Sequence, residues 1–158
     1  MELSDLLVPE AVLASLKVSN KKQLLHELSV RAAAFSGIPE ARIEEILTER
    51  ERLGSTGMGQ GIAIPHGRVP GLDKIVGMFA QLETPIAYDA VDDQPVDLIF
   101  LLLAPEGAGA DHLKALARVS RLLRNQAVCE KLRAAKKREV LYALLTEPTN
   151  GGASSQAA

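Results

Sequence analysis

Apolar residues recur every three to four positions through residues 19–36, with Leu24, Leu28, Ala32 and Phe35 on one stripe. That spacing predicts a helix burying the stripe. Ser19 or Asn20 supplies its cap and Gly37 its stop. A second helix is predicted from Pro39, a favoured first-turn residue, to about Leu53, with Ile43, Ile46 and Leu47 inward and Gly54 ending it. The period then breaks. Residues 54–68, GSTGMGQGIAIPHGR, carry glycines at 54, 57, 59 and 61, too many for a regular element. They predict a shaped loop running into a short strand, Ile62 to Ile64. Lys74–Leu82 and Val96–Ala104 read as strands, and the second is apolar almost throughout, as in a central strand covered on both faces. Turn chemistry in TPIAYDAVDDQP leaves room for one short strand around Ile86–Tyr88. Beyond PEGAG, Asp111 is the expected cap of a helix through about Arg124, followed by shorter helices near Ala127–Ala134 and Arg138–Thr146. Residues 148–158 are small and polar with nothing to bury, and disorder is expected there. The order helix, helix, strands, helices predicts one α/β domain with helices on both sheet faces.

Composition narrows the function classes. With 158 residues, 47% hydrophobic and 24% charged, the chain fits a single globular domain. Only 3% of residues are aromatic, which argues against base-stacking platforms and aromatic-lined sugar clefts. A net charge of -2 lacks the basic excess of a DNA-binding domain. The basic run Lys131–Arg138 reads as a solvated helix end, so no nucleic-acid partner is expected. One cysteine, Cys129, excludes an internal disulfide framework and is expected to pack as a small hydrophobe. MELSDLLVPEAV lacks the features of a signal peptide, and the longest apolar stretch, Leu98 to Ala104, is too short to span a bilayer. The expectation is a cytoplasmic protein without membrane insertion.

The three histidines differ in setting. His26 falls opposite Leu24, Leu28 and Phe35 and should face solvent. His66 lies between Pro65, which stiffens the backbone, and Gly67, which leaves the approach open. An imidazole held this way suits a nucleophile with one nitrogen bare and the other donating to a fixed acceptor. Local chemistry alone leaves this reading open against a residue that merely closes a turn. His112 sits in the first turn of its predicted helix on the side of Leu116, Val119 and Leu123, so it points inward. The helix dipole there biases it towards neutral and favours an incoming anion, though a structural histidine remains the alternative. Arg50 falls between Ile46 and Leu47 on the helical wheel, on the face that should be buried, and needs an anionic partner. It alternatively snorkels out, or pairs with Glu49 or Asp97. Two imidazoles and an arginine beside glycine-rich backbone form a phosphoryl-handling set that requires no metal. No Gly-Lys-Ser/Thr follows the glycine run, so it is not a nucleotide P-loop. Asp92, Asp93 and Asp97 read as turn residues before a strand.

Residues 50–67, Arg-Glu-x-x-Gly-Ser-Thr-Gly-Met-Gly-x-Gly-Ile-Ala-Ile-Pro-His-Gly, closely resemble the signature of fructose/mannitol-type enzyme IIA domains. These belong to the bacterial phosphoenolpyruvate-dependent phosphotransferase system. Residues 82–105 and 111–124 continue the likeness, which covers residues 2–147. The resemblance implies an α/β domain with a mixed sheet flanked by helices. It implies that His66 is phosphorylated through Nε2, with His112 as second active-site histidine and Arg50 steadying the phosphoryl group. Gly54, Ser55, Thr56, Gly57 and Gly67 would form the phosphoryl-binding loop. It implies a phosphorylated HPr-like protein as donor, and neither cofactor nor metal. With no IIB, IIC or HPr-like domain fused to it, the chain looks most like the nitrogen-regulatory branch. Members of that branch regulate target proteins, such as kinases or transporters, by phosphorylation state. The alternative is a sugar-specific component passing phosphate to a IIB domain during fructose/mannitol-type uptake. A third reading, from another class, is a pure binding module whose His66 is structural. Met58 stands where the family often has Ile, and no change of mechanism is expected from it.

Overall fold

The computed structural model describes residues 2–147; the tail 148–158, for which disorder is expected, lies outside them. The most apolar segment became the centre of the sheet. Six strands form: β1 (Val12–Leu16), β2 (Gly57–Gly59), β3 (Ile62–Ala63), β4 (His66–Val69), β5 (Val76–Ile86) and β6 (Val96–Pro105). Their order is β1-β5-β6-β3-β2, with β4 also pairing to β6. β5 runs antiparallel to β6, while β1 is parallel to β5, and β3 and β4 are both parallel to β6, so the sheet is mixed. β6 is buried at every position from Leu98 to Ala104, on both faces, as its unbroken apolar run requires.

Five helices cover the sheet: α1 (Lys21–Ser36), α2 (Glu40–Arg52), α3 (Ala110–Leu123), α4 (Gln126–Ala134) and α5 (Arg138–Thr146). α1 packs on α2, and this pair meets β5 and β4, whereas α3 lies on β6 and α5 on β1. The Asn20 side chain accepts from the Gln23 N–H at 2.8 Å and so caps α1, a contact worth about 1 kcal/mol. Gly37 closes α1 with φ 75°. Cys129 is buried and its thiol donates to the Leu123 carbonyl, the small-hydrophobe role expected of it. Among the described residues no helix is long and apolar enough to cross a membrane.

Five local expectations differ from the structure. β1 was not anticipated: five residues with Ser15 at φ 53° shift the register between Leu13 and Leu16 and break the alternation that marks a strand. Gln81, 3% exposed, holds that bulge, accepting the Ser15 N–H and donating to the carbonyls of Leu132 and Ala135. β5 continues to Ile86, which pairs with Val96 across a register shift, so there is no separate strand at Ile86–Tyr88. The glycine run is partly a hairpin, with β2 and β3 joined by Gln60 and Gly61 at φ 58° and 83°, the left-handed pair that a tight two-residue turn demands. Finally, Asp111 lies inside the first turn of α3 and Gly109 occupies the cap position. Phe35, expected on the buried stripe of α1, is 38% exposed: it lies in the last turn of the helix, and Ala32 is the last residue of the buried face.

Candidate functional site

β3 and β4 run one after the other along the same side of β6, interrupted at Ile64 and Pro65. Proline has no N–H to give to a ladder, so the pairing lapses there and resumes when the Pro65 carbonyl accepts from Leu102 at 3.0 Å. His66 therefore opens β4, where the sequence had placed it at the end of a strand. Its Nδ1 lies 2.8 Å from the Ile64 carbonyl oxygen. A carbonyl only accepts, so Nδ1 carries the hydrogen and Nε2 holds the lone pair. Gly67 is required for close packing: a Cβ there would stand 2.5 Å from Ile46 Cγ2 on α2.

His112 projects from the first turn of α3 and is 5% exposed. The two imidazoles meet edge to face, with ring centroids 5.7 Å apart and planes at 70°. His112 Nε2 is buried and has no hydrogen-bond partner among the described residues. Both rings are held below the ordinary histidine range. For His66 burial dominates; the Ile64 bond opposes it, the Arg50 charge adds to it, and Glu51 opposes it. For His112 burial again leads, followed by His66 and then Arg68. The neutral imidazoles are thus favoured, as a nucleophile needs.

Arg50 is half-buried at the end of α2, close enough for its charge to act on His66. Its Nη1 donates to the Gly54 carbonyl at 2.9 Å, and it forms no ion pair among the described residues. The alternative carboxylates are engaged elsewhere: Glu49 with Arg52, and Asp97 with Arg133 at 2.9 Å. The loop residues are tied to one another. Ser55 donates its hydroxyl to the Tyr88 carbonyl and accepts the Gly57 N–H, and Thr56 gives both its N–H and its hydroxyl to Glu51. The structure brings His66 and His112 together, with Arg50 near enough for its charge to act on His66. The hydroxyls of Ser55 and Thr56 are spent on shaping the loop. His26 is exposed, as expected, and pairs with Glu44 at 2.9 Å.

Two residues escaped the sequence reading. Glu51 anchors the glycine loop, taking Lys21 Nζ at 2.9 Å and the Tyr88 hydroxyl at 3.2 Å besides Thr56. Its signal was the four-residue spacing Ile43, Leu47, Glu51, which puts it on the inward stripe. Arg68 stands two residues beyond His66 in β4, and the period of a strand could have placed it on the same face.

The family described as "Phosphoenolpyruvate-dependent sugar phosphotransferase system, EIIA 2" matches residues 5–147. The chain belongs to this family. It is thereby a component of the phosphotransferase system, with the mixed α/β fold of the enzyme IIA proteins. Among its relatives is the nitrogen regulatory protein of Bradyrhizobium diazoefficiens, 55% identical over 94% of this chain and 97% of the relative. The nitrogen regulatory protein of Escherichia coli is 42% identical over 93% of this chain and 91% of the relative. The crystal structure of the nitrogen regulatory protein IIA-Ntr from Neisseria meningitidis superposes with a TM-score of 0.87 at 36% identity, covering 91% of this chain and 99% of that one.

Proposed function

We propose that the chain is a cytoplasmic phosphohistidine carrier of the nitrogen-type phosphotransferase system, with His66 as the phosphorylated residue. The observation that supports this most is the anchoring of Nδ1 on the Ile64 carbonyl, which leaves the Nε2 lone pair free on a ring that packs against a second imidazole and feels the charge of Arg50. Nε2 attacks the phosphorus of a phosphorylated imidazole on an HPr-like donor. The donor's P–N bond breaks, its electron pair stays on the donor imidazole, and His66 keeps its Nδ1 hydrogen throughout. Arg50 leaves the Gly54 carbonyl in part or whole to meet the phosphoryl oxygens, and His112 Nε2, unpaired in the free protein, gains a partner. The loop from Gly54 to Gly57, with Gly67, shapes the approach. Phosphorylation adds nearly two negative charges at His66, and so alters which target proteins the surrounding surface holds. The 55% identity with a nitrogen regulatory protein supports the regulatory branch over sugar uptake, in which a IIB domain would take the phosphoryl group.

Incubation with phosphoenolpyruvate, enzyme I and an HPr-type protein tests the reading. Wild type is expected to take up label that is lost in acid and kept in base, as a phosphoramidate is, and His66→Ala to take up none. An acid-stable label, or equal labelling of both proteins, would refute it.

A further inference from the structure

We propose that Arg68 is a second cation for the phosphoryl group on His66, acting with Arg50 but supplied by β4; this rests on the carrier reading above. In β4 the side chains alternate. The Cβ direction of Gly67 points at Ile46 of α2, so His66 and Arg68 share the other face, about 6.6 Å apart along the strand. That face meets the start of α3: the His66 ring touches His112, and the Arg68 charge is one of the causes that hold His112 neutral.

Arg68 is also held the way Arg50 is held. Each guanidinium gives one N–H to a loop carbonyl, Arg50 to Gly54 at 2.9 Å and Arg68 to Glu106 at 3.2 Å. Neither has a carboxylate within ion-pair distance among the described residues, although several other arginines do, including Arg52 with Glu49 and Arg118 with Glu2. A guanidinium steadied at one nitrogen keeps the rest of its planar fork for a tetrahedral dianion. Arg50 comes from the end of α2, where its charge acts on His66, and Arg68 from β4 itself, where its charge acts on His112, so the two cations approach the imidazole pair from different elements. Arg68 is exposed, and its bond to Glu106 ties β4 to the loop that delivers His112.

The test measures labelling of His66 from a phosphorylated HPr-type protein at saturating and limiting donor, in wild type, Arg68→Ala and Arg68→Lys. One charge-assisted contact to the transferring group predicts that Arg68→Ala lowers the rate at saturating donor about tenfold or more. Arg68→Lys should recover most of it, and circular dichroism should be unchanged. Titration with inorganic phosphate, followed on the His66 and His112 imidazole nitrogens by NMR, should show weaker binding to Arg68→Ala. A saturating rate and phosphate affinity equal to wild type would overturn the role, as would an effect confined to limiting donor, which belongs to docking. A wild type that takes no label would overturn the carrier reading, and Arg68 with it; a labelled wild type alongside an unaffected Arg68→Ala overturns Arg68 alone.

Discussion

Glu51→Ala removes a carboxylate that four groups share: Lys21 Nζ at 2.9 Å, the Thr56 N–H at 3.0 Å, the Thr56 hydroxyl, and the Tyr88 hydroxyl at 3.2 Å. The Glu51 side chain is 6% exposed, so the small energies of surface pairs do not apply. Deleting one member of a buried pair costs about 3–5 kcal/mol, because the partner is left desolvated and unpaired. Lys21 is 20% exposed and regains some hydration, which places the expectation near the low end, about 3 kcal/mol. Against a total stability of roughly 5–15 kcal/mol the variant still folds, with a urea midpoint lower by about 1–3 M. Lys21→Met in the same background removes the orphaned ammonium, so the coupling between the two sites should be about 1–3 kcal/mol. Urea unfolding of the four proteins completes the cycle. A Glu51→Ala cost below about 1 kcal/mol, or the same cost with and without Lys21, would refute the reasoning.

Gly67→Ala should cost about 1–3 kcal/mol, since its Cβ would stand 2.5 Å from Ile46 Cγ2, and Ile46→Ala should relieve most of that; an unrelieved cost in urea unfolding would contradict the packing reading. Stability should also fall on acidification. His66 and His112 bind protons less readily folded than unfolded, so their contribution is present above about pH 6.5 and is lost as pH falls below it. His26, raised by its bond to Glu44, works in the opposite direction but is fully exposed. His112→Asn should flatten the acid limb of the urea midpoint, and an unchanged pH profile in that variant would count against a desolvated His112.

The helices were legible because their causes are local. Asn20, Gly37 and the three-to-four-residue stripes of α1 and α2 act within a few residues, and so does the apolar run that made β6 central. The motif around His66 was legible too, because proline and glycine act on their own backbone. β1 was not, since a bulged five-residue strand is defined by its pairing with β5 and by Gln81, more than sixty residues away. The roles within the site divide along the same line. Sequence alone determined that an imidazole would stand on a stiff segment beside a glycine loop, with a second imidazole and an arginine on inward faces. Only the tertiary structure decided that Ile64 would take the Nδ1 hydrogen, that Glu51 would hold the loop, and that Arg50 would rest on the Gly54 carbonyl instead of a carboxylate. Each of those depends on where α2, β4 and α3 come to lie against β6, and long-range packing sets that placement, not the spacing of neighbours in the chain.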